Sequence, residues 1–368
     1  MRRRLLHRAR QIIDVARYAR RASPAYRVSA ITLFARTVPI CLKHQFSGAE
    51  AYRLGLFDPT TQAADLSHYC SRKRLTKIQR SLNPPSLAPL LRNKAIFYRF
   101  CLAHGIPVPA LYAVVFGPTR GWTYRDRAAA GIEQWATFLE RDLPAEFVIK
   151  PVEAAFGHGV MLFRRQDDRF IDPAGTLFRA AALCESLCTN GRHDGFLIQE
   201  RLHNHPQLLE LTGVEYLQTV RMTTLVDADH RAHVIHAACK LIAGSNVTDN
   251  FHGGITGNIQ ACVDLRDGRL FRPVTASPDT PGYNTLRKHP NTGLDIEGFH
   301  LPLWDQACTL VRKAAVQFLP VRTIGWDVAM TPSGPIIVEG NIWWNPPNQH
   351  RNLHTILQTI RDLCPFLA

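Results

Sequence analysis

Near its carboxyl end the chain reads GWDVAMTPSGPIIVEGN, residues 325–341. Two apolar runs, Val328, Ala329, Met330 and Ile336, Ile337, Val338, flank the turn residues Pro332, Ser333, Gly334 and Pro335, which predicts a hairpin of buried antiparallel strands. Side chains alternate faces along a strand, so Glu339 and Asn341 share one face. A turn centred near Ser333 then sets Asp327 opposite Glu339. Two facing carboxylates repel unless a cation or a proton lies between them, and an all-oxygen set suits Mg²⁺ or Mn²⁺ far better than Zn²⁺. The rival reading is a surface hairpin with solvated acids. It fits poorly with such apolar flanks, because burying unpartnered acids is costly.

Composition places few limits beyond those of an ordinary globular chain. With 368 residues, 46% hydrophobic and 20% charged, there is room for two or three domains sharing a cleft. No run approaches the roughly 20 apolar residues that span a bilayer. The nine cysteines form no CxxC and no zinc-type spacing, and Cys184 and Cys188 stand one helical turn apart as two packed thiols. An odd, unpatterned set argues for a reducing, cytoplasmic setting.

The net charge of +14 is concentrated at the amino end. Residues 1–49 hold ten Arg and one Lys against a single acid, Asp14. Leu5, Leu6, Ile12, Ile13, Val15, Ala16 and Ala19 among those arginines predict an amphipathic helix. Two readings stay open for residues 1–22: peripheral contact with an anionic membrane at its inner face, or a helix packing its apolar stripe on the protein's own body. Nucleic acid is not an expected partner, since no aromatic platform or base-reading motif accompanies the charge.

Periodicity and turn residues predict a mostly helical region to about residue 90, ending at Asn83, Pro84, Pro85 and Pro89. Helices follow at 94–104, 131–140, 174–188 and 303–318, with a last helix closing the chain. Strands are expected at 111–116, 147–149, 160–163, 196–199, 217–226, 231–242 and 258–264 before the hairpin. Strands mixed with helices in this order predict an α+β fold, not a parallel dinucleotide-binding sheet.

A hard cation with few protein ligands usually carries phosphates, so a phosphate cradle is expected. GxxxxGK[ST] and GxGxxG are absent. What remains is Lys150, ending the strand FVIKP, followed by a small-residue turn with Ala154, Ala155, Gly157 and Gly159. A strand-end lysine supplies fixed positive charge, and glycines let main-chain N–H groups approach phosphate oxygens closely.

The ordered set Lys94, Lys150, glycine turn, Gln199-Glu200 in FLIQE, Arg221 in TVRMTTL, then Asp327, Glu339 and Asn341 resembles the ATP-grasp superfamily over residues 90–347. HPNTGLDIEGFHLP before IGWDVAMTPSGPIIVEGN is similar, more narrowly, to the sugar-transfer-associated ATP-grasp family, relatives of the glutamate-ligase type found with polysaccharide biosynthesis. The resemblance implies two α+β lobes gripping ATP, 91–198 and 199–368, which the basic, mostly helical region 1–90 precedes without resembling the superfamily's usual amino-terminal domain. It implies that Lys94 and Lys150 hold the ATP phosphates while the loop Gly157, His158, Gly159 closes over them. Gln199, Glu200, Arg201 and Leu202 would line the adenine pocket, and Asp327, Glu339 and Asn341 would bind Mg²⁺ or Mn²⁺. Arg221, Lys240 and Arg322 would neutralise the transferring phosphoryl group or anchor an acidic acceptor, with Asn250 in the same cleft. The ribose acid is Glu210 or Glu215.

The implied chemistry joins a small-molecule or glycan-linked carboxylate to an amine through an acyl phosphate. It needs no side-chain nucleophile, in keeping with the lack of a Ser/His/Asp or Cys/His arrangement and of HExxH among the sixteen histidines. Two rivals remain: a kinase with a hydroxyl acceptor, and an ATP-binding or membrane-docking module without turnover.

Overall fold

The computed structural model describes residues 2–62, 65–118, 120–123, 131–154, 159–277, 279–348 and 353–365, with main chain alone for 2–7. Helices α1 (Arg2–Tyr26), α2 (Ala30–His44) and α3 (Gly48–Arg53) open the chain. They bury Val15, Ala19, Leu33, Phe46 and Phe57 in a core of their own. The apolar stripe expected on α1 is therefore largely internal, while Ile13 stays 68% exposed. Helices α4 (Arg72–Leu82), α5 (Ala88–Arg92) and α6 (Lys94–Ala103) follow. Asn93 caps α6 by accepting from the Ile96 N–H, which fixes Lys94 in the first turn.

A first seven-stranded antiparallel sheet comprises β1 (Leu111–Gly117), β2 (Arg120–Thr123), β3 (Glu146–Pro151), β4 (Met161–Gln166), β5 (Arg169–Ile171), β6 (Leu177–Arg179) and β7 (Phe196–Glu200). Its order is β2-β1-β7-β3-β4-β5-β6. Helices α7 (Ile132–Arg141) and α8 (Ala180–Cys188) cover one face, packing on Phe147, Ile149, Phe163, Phe196 and Ile198. Period-two alternation turns Val148, Lys150, Leu162 and Gln199 the other way. The helix expected over 174–188 begins only at Ala180. Leu177, Phe178 and Arg179 pair instead with β5, because a neighbouring edge strand offered hydrogen bonds that local periodicity does not register.

The second sheet holds β8 (Thr219–Val226), β9 (Ala232–Leu241), β10 (Ile259–Val263), β11 (Leu270–Thr275), β12 (Asn284–Thr285), β13 (Thr323–Thr331) and β14 (Gly334–Asn341). Its order is β12-β11-β10-β9-β8-β13-β14. Helix α9 (Pro206–Thr212) precedes it, α10 (Trp304–Gln317) packs behind it through Ala307, Val311, Ala314 and Ala315, and α11 (Leu353–Leu363) closes the described chain. One sheet face carries the buried apolar set Val220, Met222, Trp326 and Val328. The opposite face carries Thr219, Arg221, Lys240, Asp327 and Glu339, and it borders a cleft shared with the free face of the first sheet. The fold is α+β.

Candidate active site

The hairpin forms with a tighter turn than the sequence suggested. Thr331 pairs with Gly334 and Met330 with Pro335, leaving only Pro332 and Ser333 in the loop. Continued regularly, that register would set Asp327 against Val338 and turn Glu339 to the far side. A β-bulge intervenes between Asp327 and Val328, so Asp327 does pair with Glu339. The Val338 carbonyl accepts a hydrogen bond of 2.7 Å from the Tyr98 hydroxyl. Tyr98 is fully buried and also receives the Lys150 ammonium at 2.8 Å. One phenol on α6 thus ties the bulge that aligns the carboxylates to the strand-end lysine.

Glycine between the two ligand-type residues has a packing reason. A Cβ at Gly340 would stand 2.5 Å from Leu91 Cδ2 and 3.1 Å from Phe97 Cε2. Any larger residue would have to push the Leu91 and Phe97 side chains of α5 and α6 aside.

Asp327 sits 4% exposed on β13, between β8 and the edge strand β14. Arg221, its cross-strand partner on β8, grips it with both ends of the guanidinium, Nε to Oδ1 at 2.6 Å and Nη2 to Oδ2 at 3.0 Å. Lys240 Nζ lies 3.3 Å from Asp327 Oδ1 and 3.3 Å from Asp249 Oδ2. Burial works against this carboxylate, yet Arg221 and Lys240 hold it well below the usual carboxylate range. Glu339 moves the opposite way. Burial, reinforced by Asp327, pushes its carboxyl up, and a hydrogen bond joins the two acids. Asn341 donates its amide N–H to Glu339 Oε1 at 3.2 Å, leaving its carbonyl oxygen as an acceptor.

On the opposite wall the situation is inverted. Lys94 and Lys150 are 9% and 6% exposed, and burial followed by the Lys94 charge pushes the Lys150 ammonium down to about 7. Lys94 donates to the Ala154 carbonyl at 2.9 Å. A like-charged acidic pair and a like-charged basic pair therefore share one cleft. Each pair is stabilised by what the other side of a metal-phosphate would bring: a cation between acids, an anion between lysines. Asp327 keeps room for it, since Arg221 and Lys240 use about three of its roughly four lone-pair positions. A cation between the two carboxylates would take the place of the hydrogen bond that joins them. No group of three or more His, Cys, Asp or Glu is gathered among the described residues, so the donor set is two carboxylates and an amide oxygen, as Mg²⁺ tolerates.

The remaining expected residues fall unevenly. Gln199, Glu200, Arg201 and Leu202 all line the cleft. Val148, Leu162, Leu202 and Leu217 give it an apolar slot beside them, and Gln199 Oε1 is buried with no partner among the described residues. Glu200 is partly engaged by the Ala110 N–H, and Arg201 by Glu146 at 2.9 Å. Asn250 also lines the cleft, its Oδ1 accepting from the His252 N–H. Gly157 and His158 lie outside the described residues. Gly159 has a left-handed φ of 76°, and a Cβ there would meet Pro151 at 2.8 Å.

Three expectations do not reach the cleft. Arg322 lies at the far end of β8, where its guanidinium donates to the carbonyls of Val226 and Asp227 at 3.2 and 2.6 Å. It ties down a strand end. Glu210 and Glu215 are both exposed on or just after α9 and are not among the residues lining the cleft. Conversely, Tyr98, Asp249 and Thr219 were missed. Tyr98 had a signal, one helical turn beyond Lys94. Thr219 had one too, alternating with Arg221 along β8. Asp249, which accepts from the Thr219 N–H and Oγ1 at 2.9 and 2.5 Å, comes from a loop with no periodicity to betray it.

The family model described as sugar-transfer associated ATP-grasp matches residues 73–352. The chain belongs to this ATP-grasp family. Among solved structures it is similar to a RimK domain ATP-grasp protein from Sphaerobacter thermophilus, at 15% identity over 74% of this chain and 67% of that one, with a TM-score of 0.38. It is also similar to the D-alanine-D-alanine ligase from Coxiella burnetii, at 11% identity over 74% of this chain and 57% of that one, TM-score 0.38. D-cycloserine synthetase DcsG gives 13% identity over 79% and 78%, TM-score 0.39. This ATP-grasp chain thus spans little more than half the length of the D-alanine-D-alanine ligase. No curated protein sequence matches it.

Proposed function

We propose that this chain is an ATP-dependent ligase that joins a carboxylate to an amine through an acyl phosphate. The observation that carries the reading is the cleft's pair of opposed like-charged pairs, Lys94 with Lys150 and Asp327 with Glu339. Arg221 and Lys240 already meet Asp327, while Glu339 and Lys150 each sit buried beside a like-charged neighbour, a strain that a metal-phosphate would relieve. Family membership supports ATP as the phosphate ligand.

Carboxylates do not react with amines at neutral pH because they offer no leaving group. A carboxylate oxygen of the acid attacks the γ-phosphorus of ATP, and the bond to the β-phosphate oxygen breaks to release ADP. The amine then attacks the acyl carbon and inorganic phosphate departs, leaving the amide and a proton. Lys94 and Lys150 hold phosphate oxygens as fixed donors, and burial keeps water from screening them. Arg221 and Lys240, already fixed by Asp327 and Asp249, present their remaining N–H donors to the acid or to the acyl phosphate. A magnesium or manganese ion held by Asp327, Glu339 and the Asn341 oxygen would neutralise charge on the phosphate oxygens. The adenine ring is assigned to the slot of Val148, Leu162, Leu202 and Leu217, with Gln199 Oε1 as a waiting acceptor for an amino donor.

The family's association with sugar transfer supports a sugar acid or a glycan-linked acid as first substrate class, in polysaccharide biosynthesis. For the basic amino terminus the packing favours the internal reading, since Val15, Ala19 and Ala22 of α1 are buried in the protein's own core. No helix of the described residues is long and apolar enough to cross a membrane.

Phosphate release from Mg-ATP, screened across paired carboxylic acids and amines including uronic acids and amino acids, tests the proposal. Release that requires both partners is the expected outcome. A stable phosphorylated product from a hydroxyl compound with no amine present would replace the ligase with a kinase.

A further inference from the structure

The cleft has another wall that the chemistry above leaves idle. Helix α4 directs Arg72, Lys73, Thr76, Lys77 and Arg80 into it, positions that recur with helical spacing. Leu75, Gln79 and Leu82 on the other side of the helix are buried. Between Arg72 and Arg80 the helix rises about 12 Å, long enough for several anionic groups in a row.

Lys73 has a partner of its own. Among the described residues Arg72, Lys77 and Arg80 make no ion pair. Two acids, Glu50 and Asp14, line the same wall, and among the described residues neither forms a salt bridge to Arg72, Lys77 or Arg80. Glu50 accepts from the Ser47 N–H and hydroxyl and from the Arg72 N–H, at 2.8, 2.9 and 2.8 Å. Asp14 accepts from the Gly48 N–H at 2.7 Å and pairs with Arg17 at 2.9 Å.

The wall is also rigidly registered against the catalytic hairpin. Asn348 accepts from the Cys70 N–H at 2.8 Å and donates to the Cys70 carbonyl at 2.7 Å. Gln79 donates to the Trp344 carbonyl at 2.8 Å, and Asn83 donates to the carbonyls of Thr323 and Ile342 at 2.8 and 3.2 Å. All three side chains are buried, so α4 is fixed to the chain that leaves β14 just after Asn341. At about 1710 Å³ the cleft exceeds the usual 300–1,000 Å³ of a single small-ligand site, which leaves space beyond a nucleotide.

We infer that the α4 stripe holds an oligoanionic acid substrate, an extended molecule with two or more carboxylate or phosphate groups besides the carboxylate that reacts. The role as substrate rests on the ligase reading, while the binding itself does not.

The test is a calorimetric titration of the full chain, saturated with MgADP so that the phosphate cradle is filled, with tetragalacturonate, its neutral methyl-esterified form, or inorganic tetraphosphate. At low salt the tetracarboxylate or the tetraphosphate binds, the neutral tetramer does not, and affinity falls as salt rises. The exposed double variant Lys77→Gln/Arg80→Gln keeps its melting temperature and MgADP affinity but binds the oligoanion about tenfold more weakly. Preference between the two anions identifies a carboxylated or a phosphorylated chain. Binding of neither, equal binding of the neutral tetramer, an unaltered variant, or a variant that loses MgADP affinity instead would overturn the inference. A phosphate-release screen blank for every acid and amine would strike the ligase reading and leave this titration standing.

Discussion

Replacing Glu339 by Gln isolates the acidic pair. Glu339 and Asp327 are in hydrogen-bond contact. At roughly 3 Å and an effective dielectric of about 20, two charged carboxylates repel by about 5 kcal/mol. Burial and Asp327 raise the Glu339 carboxyl, which lessens this repulsion in the ligand-free protein. A carboxyl raised in the folded state makes stability fall with rising pH, starting from the unfolded value near 4.3, because the unfolded chain releases its proton first. Glutamine retains an N–H donor toward Asp327 and removes the titration. The variant is therefore at least as stable as the parent at neutral pH, and its stability loses that downward segment. The same substitution withdraws one of two charges from a divalent cation, expected to weaken Mg²⁺ binding at least about a hundredfold, or roughly 2.7 kcal/mol. Melting curves with and without MgADP read both effects. The parent's melting temperature rises with MgADP and the variant's does not, while the unliganded variant melts no lower than the parent. A variant that retains the MgADP shift, or that melts several degrees lower unliganded, would refute the assignment of this pair to a metal.

Lys150 gives the opposite proton signature. With its ammonium lowered to about 7, the free protein at pH 8 holds it largely neutral, so phosphate binding should recharge it with uptake of a proton. Calorimetry of MgATP binding in buffers of different ionisation enthalpy measures the net proton change, to which any proton leaving Glu339 contributes with the opposite sign, and Lys150→Met shifts that net change toward release. Tyr98→Phe removes the donor to the Val338 carbonyl and the partner of Lys150, with an expected loss of about 1–3 kcal/mol in urea denaturation and a fall in turnover. Gly340→Ala forces a methyl against Leu91 and Phe97 and should cost about 1–3 kcal/mol by the same measurement. Asn83→Ala strips partners from the Arg322 and Thr323 N–H groups and from the Thr323 and Ile342 carbonyls, so a loss of about 3–5 kcal/mol is expected.

Much of the site was legible because its residues stand at positions that local rules govern. Lys150 closes an apolar run, and strand alternation alone predicts that it shares a face with Val148. Lys94 follows a capping asparagine. The acids of the hairpin share a strand pattern with buried neighbours, which marked them as partnered before any contact was known. Arg322 was misplaced because proximity in sequence to Asp327 says nothing about which end of the strand a side chain leaves. Glu210 and Glu215 were misjudged for a similar reason: an acid near the right element carries no sign of its direction. Leu177, Phe178 and Arg179 resembled a helix start until an edge strand claimed them.

By itself the order of residues marked the longer strands, which of their faces carries charge, and that two acids and two lysines must each find an opposite partner, but not the strands β2, β5, β6, β11 and β12. Tertiary structure decided whether Asp327 and Glu339 meet at all, since the two-residue turn alone sets them on opposite faces and the bulge beside Val338 restores them. It likewise decided that α4 joins the cleft, through Gln79, Asn83 and Asn348 reaching main chain more than 200 residues away. Alternation and helical spacing are set by bonds a few residues long. Bulges and long-range clamps exist only where a distant donor or acceptor has already been packed beside them.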